Sequence, residues 1–286
     1  MLMVPICLLL LSFPSLQQQD APLPEQRAFL EAFRKALSLP DQLLSQYTYT
    51  FKETETALDS GGKPKKTETN VYYVIHGAEP WQTYERQIIK NGVALTEKEL
   101  EKQDRKERER VEKERSKRAK WSEAKRREER EKTEKEERET TDDVFASFTF
   151  ELVKRELLNG QSTILVNFKP NRSYKPKTSE AKQLQHAAGH VWISEDDHQL
   201  AKFEAEVIEP ITFGAGLLAK LQRGSTVKFE QQKINDEIWL PVRAEIVYDA
   251  RVLLLKGMRG RVNVEFSDHK KFNVDTILEF NAPIDD

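Results

Sequence analysis

Residues 96–143, from TEKELEKQDRKERER through KRREEREKTEKEERETTDD, are about three-quarters Lys, Arg, Glu and Asp. A tract with so little apolar surface cannot build a core, so any globular unit must come from the residues on either side of it. The tract holds neither Gly nor Pro and is dominated by helix formers, which predicts helix. Opposite charges recur three or four residues apart, as in Lys98 with Glu101, Glu109 with Lys113, and Glu131 with Lys135. Each pair contributes little, but many in series hold a solvated helix without tertiary packing. A single rod would run roughly 70 Å at 1.5 Å per residue. A hairpin would turn back near Lys120-Trp121-Ser122. Leu100, Val111 and Trp121 do not repeat every 3.5 residues, so the pattern lacks the seam of a coiled coil. We expect an insertion between two neighbouring strands, joined at Val93-Ala94-Leu95 and Val144-Phe145, and serving as a spacer or as a surface for a partner.

Acids and bases nearly cancel in this tract, and the whole chain carries a net charge of −2. Nucleic acid is therefore excluded as a partner, and nothing points to an anionic membrane surface. The sole cysteine, Cys7, lies in the opening MLMVPICLLLLSFPSLQQQDAPLP. This apolar run is too short to span a bilayer and reads as a signal peptide over residues 1–21, cut after Gln17 or Ala21. A periplasmic or otherwise exported protein is expected, membrane-tethered if the segment stays uncleaved. Removal of Cys7 would leave no thiol for a disulfide, a nucleophile or a metal.

Two amphipathic helices are expected, over residues 25–38 and 211–222. In the first, Phe29, Leu30, Phe33 and Leu37 recur at helical spacing before Pro40. In the second, Phe213, Leu217, Leu218 and Leu221 do the same, weakened by Gly214 and Gly216. Elsewhere the period is two. QYTYTFKETE alternates Tyr47, Tyr49 and Phe51 with polar residues, TNVYYVIHG alternates Val71, Tyr73 and Ile75, and WQTYERQIIKNG ends at Asn91-Gly92, which together read as an antiparallel meander. FASFTFELVKREL and STILVNFKP flank Asn159-Gly160, a hairpin signal. GHVWIS and QLAKFEAEVIEP form another hairpin around Glu195-Asp196-Asp197-His198, and long alternating segments close the chain. The sum is an α+β protein in which a strongly curved antiparallel sheet, an unclosed half-barrel, wraps around the two helices. Residues 22–286 form one domain, interrupted by 96–143.

Catalytic chemistry finds little support. Asp196-Asp197-His198 and Asp268-His269 set carboxylates beside imidazoles, and His186 and His190 stand four apart. The first reads better as a turn, and Gly189 argues against a helix that would align the two histidines. No Ser-His-Asp order or Gly-rich phosphate loop is present, so we expect no catalytic residue, no metal and no cofactor. Asn171-Arg172-Ser173 matches a glycosylation sequon.

The order of elements, and above all GHVWIS…QLAKFEAEV followed by VKFEQQKINDEIWLPVRAEIVYDARVLLLKGMRGRVNVEFSDHKKF over Gly189–Phe272, resembles the LolA-like superfamily of outer-membrane lipoprotein-sorting carriers. The resemblance implies an unclosed barrel, helices acting as a lid, and an apolar cavity that accepts the acyl chains of lipids or lipoproteins. Phe33, Tyr47, Tyr49, Phe51, Tyr73, Phe148, Phe150, Phe203, Leu217, Leu221 and Phe229 are the candidate lining residues. Alternation alone does not separate a cavity wall from a filled core. The expected function is a monomeric, non-enzymatic carrier or sensor of an apolar ligand. The alternative is a structural protein with a filled core whose charged helix contacts an envelope protein partner.

Overall fold

The computed structural model describes residues 21–37, 43–213, 219–252 and 256–272. Residues 1–20 of the expected signal peptide 1–21, and Leu217, lie outside them. Helix α1, Gln26–Leu37, forms as its spacing predicts, burying Phe29 and Phe33. The Glu25 carboxylate caps its first turn by accepting from the backbone N–H groups of Arg27 and Ala28 at 3.0 and 2.6 Å.

Thirteen strands form a single antiparallel sheet: β1 Tyr47–Leu58, β2 Pro64–Ile75, β3 Tyr84–Lys90, β4 Val93–Ala94, β5 Phe148–Leu158, β6 Gln161–Pro170, β7 Ala187–Ser194, β8 Leu200–Val207, β9 Ile211–Phe213, β10 Ala219–Leu221, β11 Thr226–Ile234, β12 Ile238–Val252 and β13 Lys256–Lys271. Their spatial order is β4-β3-β2-β1-β13-β12-β11-β8-β7-β6-β5, with the β9–β10 pair attached to the far end of β12. Asn91-Gly92 and Asn159-Gly160 take positive φ at both residues, as two-residue hairpin turns require. β4 and β5 stand at opposite ends of this order, so the sheet is an unclosed half-barrel.

Two expectations need correction. Within the expected helix 211–222, the described ends are strands: Ile211–Phe213 and Ala219–Leu221 pair with each other and, through β10, with β12. The β-branched and aromatic Ile211, Thr212 and Phe213 favour extended backbone, and β12 runs on past β11, leaving an edge to which they add. The charged tract, moreover, does not sit between neighbouring strands. It consists of α2, Glu97–Ala119, and α3, Glu123–Ala146, bent at Lys120–Ser122, and it connects the two opposite edges of the sheet. Thr96 and Glu99 form a capping box on α2, and the Ser122 hydroxyl caps α3 by accepting from the Lys125 N–H at 3.2 Å.

Each arm of this bend is tied down by a buried carboxylate. On α2, Asp104 accepts from the Tyr84 hydroxyl and the Arg86 Nε, both at 2.9 Å, and from a second Arg86 nitrogen at 2.8 Å. On α3, Asp143 accepts from the Tyr174 hydroxyl, from the backbone N–H groups of Lys177 and Thr178, and from the Thr178 hydroxyl. These bonds fix the loop leading into α4, Ser179–Leu184. A third carboxylate, Asp197 in the β7–β8 turn, accepts from Lys233 Nζ at 2.8 Å and the Trp239 indole N–H at 2.9 Å, tying that turn to β11 and the start of β12.

Burial raises the pKa of Asp143 and Asp197, but their hydrogen-bond donors outweigh it and hold both carboxyls at about 2. Their folded pKa lies below the unfolded value, so the stability they contribute is complete above about pH 4 and is lost as pH falls through about 2. We expect thermal denaturation followed across that window to show a loss of about 2 kcal/mol from Asp143, and less from the partly exposed Asp197. Asp143→Asn should be less stable than the native protein at pH 7 and show a flatter acid limb, measured by circular dichroism.

Candidate functional site

Side chains alternate across a strand and paired residues share a face, so the register traces one surface through the whole sheet. It begins at Phe148, Phe150 and Leu152 on β5, opposite Pro170, Phe168 and Val166 on β6. Val166 pairs with Val191 and Phe168 with Gly189 on β7; Val191 pairs with Phe203 and Gly189 with Ala205 on β8. Phe203 and Ala205 face Phe229 and Val227 on β11, which face Ala244 and Ile246 on β12. These face Val264 and Val262 on β13, and Phe266 on that strand faces Phe51 on β1. The surface ends at Tyr72 and Val74 on β2, opposite Phe51 and Tyr49. β10 extends it through Leu221, which pairs with Ala250.

This surface falls into two halves. Over β5–β8 it is covered: Phe29 and Phe33 of α1 pack into a cluster with Ile164, Val166, Phe168, Val191, Ile193 and Ala205, flanked by Phe145, Phe148, Phe150 and Phe203. The Phe168 and Phe203 rings stack with centroids 5.6 Å apart at 9°. Gln26 fastens α1 to β5 by donating to the Phe150 carbonyl at 3.1 Å. Over β11–β13 and β1 the described residues provide no such cover. Phe51 and Phe266 stay half-exposed with ring centroids 5.8 Å apart, while Ile246, Met258 and Phe213 remain exposed. Phe51 stacks on Tyr72 at 4.7 Å, and Tyr49 meets Phe266, His76 and His269.

Toward β2 and β3 the same face becomes polar. Glu53 and Glu55 continue it along β1, and Asn70, Glu85 and Gln87 complete it. Burial raises the Tyr49 and Tyr72 phenols, with Glu85 acting on both and Glu53 on Tyr72, so both hydroxyls stay protonated donors at neutral pH. Tyr248 donates to Glu55 at 2.8 Å and is pushed up to about 12 by burial and by that carboxylate. Gly260 makes room for Tyr248, since a Cβ there would lie 2.5 Å from its hydroxyl.

Of the candidate residues, Phe33, Phe148, Phe150 and Phe203 belong to the covered half or its border, and Phe229, Leu221, Tyr49 and Phe51 lie on the rest of the same face. Two lie elsewhere. Tyr73 pairs with Thr50 and Arg86, on the opposite face beneath α2, because Tyr72 is the residue that pairs with Phe51. Tyr47 is fully buried in a second core with Ile238 and Leu240, where its hydroxyl meets Glu237 and Asn235. Adjacent tyrosines in VYYV gave no sign of which faces the core. Ile246 stands in the alternating run of β12, and Phe266 and Met258 lie on the closing strand β13, whose face is set only by its pairing with β12 and β1.

The titratable motifs serve structural bonds. His198 has φ of 56° in the β7–β8 turn, as the turn reading of Asp-Asp-His implies. His186 follows α4 while His190 lies within β7, bonded to Asn167, so the two share no helix face. Asp268 has φ of 54° beside the irregularity in the β1–β13 pairing, and His269 is in hydrogen-bond contact with the Pro241 carbonyl at 2.9 Å. Asn171 donates to the Ala146 carbonyl at 3.2 Å. Among the described residues no group of three or more His, Cys, Asp and Glu is placed to hold a metal, and no helix is long and apolar enough to cross a membrane.

No family model and no curated protein matches the chain. Among solved structures it is similar to an outer-membrane lipoprotein-sorting protein domain from Vibrio parahaemolyticus, with 11% identity over 88% of this chain and 93% of that one and a TM-score of 0.30. It is likewise similar to a LolA-superfamily protein from Nitrosomonas europaea, with 11% identity over 87% and 94% of the two chains and a TM-score of 0.29. The half-barrel itself stands on strand order and register.

Gly189 approaches β8 so closely that a Cβ would lie 1.9 Å from the Glu204 carbonyl oxygen. Gly189→Ala should separate β7 from β8 beneath the stacked rings and cost about 3 kcal/mol. That corresponds to a melting temperature lower by roughly 8 °C, checked by calorimetry.

Proposed function

We propose that this protein is an exported carrier or sensor that holds an apolar chain, such as a lipid acyl chain, against the uncovered half of its aromatic face and performs no chemistry on it. One observation carries this reading: α1 covers β5–β8, while the continuation of the same face through Ile246, Met258, Phe213, Phe51 and Phe266 stays wholly or partly exposed among the described residues. A contiguous exposed apolar surface is unfavourable in water and marks a binding site. An acyl chain suits it because such a chain binds by area, at about 0.8 kcal/mol for each buried methylene. Its polar end would lie toward Glu53, Glu85 and the Tyr72 hydroxyl, a setting that favours a neutral or cationic head group over a phosphate. Export rests on the signal-like residues 1–21, and a monomer suffices.

The second reading, a protein whose charged helices work on an envelope partner, is favoured by the fully buried Ile164, Val166 and Ile193 on the covered half. Charge reversal on α2 and α3 tests it better than deletion, since these helices connect the two edges of the sheet. Under this reading the reversal abolishes partner capture while the sheet stays folded.

Native mass spectrometry of the purified protein should detect a co-purified lipid mass, and N-phenyl-1-naphthylamine should fluoresce on binding. Phe51→Asp should weaken that dye roughly 10- to 100-fold, the cost of one lost aromatic contact, with melting within a few degrees of native. A protein that carries no lipid and leaves the dye dark would refute the carrier reading.

A further inference from the structure

The covalent path from edge strand β4 to edge strand β5 runs entirely through α2 and α3. α2 lies against β3, held by Asp104, and the Arg118 guanidinium in its last turn sits over both the Trp81 and Trp121 rings, 5.2 and 5.1 Å from their centroids. α3 is held at its other end, where it packs against α4, β5 and α1, with Asp143 bonded to the loop before α4 and Asp142 paired with Arg34. Between these anchorages every residue from 130 to 139 is exposed. A helix of 24 residues spans roughly 36 Å. α3 thus leads from the β3 side of the sheet to the β5 edge with its middle residues exposed to solvent.

Only local terms hold that middle helical, and they are weaker than those of α2. The ion pairs of α2 run acid first, Glu107 with Arg110, Glu112 with Arg115 and Glu114 with Arg118, the order that works with the helix dipole. Those of α3 run base first, Lys125 with Glu129, Arg127 with Glu131, Lys132 with Glu136 and Lys135 with Glu139, the last three at 3.8–4.0 Å. The Thr133 hydroxyl also donates to the Glu129 carbonyl at 3.0 Å, a back-bond that softens and bends a helix. An unsupported helical segment of this length is marginal in water.

We propose that α3 is a length-adjustable strap across the open side of the half-barrel. While helical it holds the two sheet edges at one separation. Unwinding of residues 130–139 adds roughly 1.8 Å per residue, about 18 Å in all, and lets the edges part. The strap thereby sets access to the apolar face, a role that rests on the ligand reading above.

Spin labels at Val93→Cys on β4 and Leu157→Cys on β5, 69% and 62% exposed, report the edge separation by pulsed electron resonance in a Cys7→Ser background. Thr133→Gly combined with Glu134→Gly should broaden and lengthen the distance distribution, and Thr133→Ala should narrow it. Neither change touches the sheet, so melting should stay within a few degrees, and the alanine variant keeps the test valid if the glycine pair misfolds. By hydrogen exchange, amides of 130–139 should open at least tenfold faster than those of 97–107. Identical distances in all variants, or equal exchange in the two segments, overturn the strap. Uptake of N-phenyl-1-naphthylamine should be several-fold faster in the glycine variant and slower in the alanine variant. Edges that respond while the dye never binds would refute the ligand reading and leave the strap standing.

Discussion

A sheet that buries one face must find something to lay on it, and among the described residues the supply falls short of the demand. Register carries a continuous apolar face from β5 through β13 to β1, whereas α1 brings two buried aromatic rings, Phe29 and Phe33. The rest of the architecture follows from that mismatch. Where α1 lies, the interior is filled, with Ile164, Val166 and Ile193 fully buried. Where it does not, aromatic rings stack on one another along the sheet, as Phe51 does on Tyr72, which removes part of each ring from water without a covering layer.

Polar bonds, not further apolar burial, fix the remaining elements. Asp104, Asp143 and Asp197 each gather several donors from distant parts of the chain, and each anchors something the sheet does not itself hold: α2, the loop before α4, and the β7–β8 turn. A buried carboxylate left unpaired is costly, so such clusters form completely or not at all. They thereby define where the charged helices lie, even though those helices have almost no apolar surface to dock.

The charged tract shows how differently local and non-local information are carried. Its helicity is local and legible in the residues, whereas the residues alone leave a straight rod and a turn at Lys120–Ser122 both open, and the structure has the turn. That the tract connects two opposite edges is not, because β4 and β5 follow one another along the chain with only that tract between them and read as neighbours. Sheet order depends on which strands pair across long separations, β1 with β13 above all, and no short-range pattern records that pairing. The ends of the expected helix 211–222 differ for a related reason. A stretch of β12 beyond β11 offers backbone hydrogen bonds to Ala219–Leu221, and Ile211–Phe213 pairs with that strand in turn, a long-range pairing that helical spacing does not record.

Periodicity by itself determined the class of this protein: an antiparallel sheet with one apolar face, an amphipathic helix within residues 25–38, hairpins turning at Asn-Gly, and a solvated helical tract outside the core. These depend on the intrinsic geometry of a few consecutive residues, where side-chain spacing and backbone preference act directly. The tertiary structure alone decided which apolar residues share a surface, placing Tyr72 where Tyr73 was expected and drawing Tyr47 into a separate core. It also decided how much of that surface one helix covers. Facing and coverage arise from register between strands far apart in sequence, and a shift of one residue in that register exchanges one face of a strand for the other.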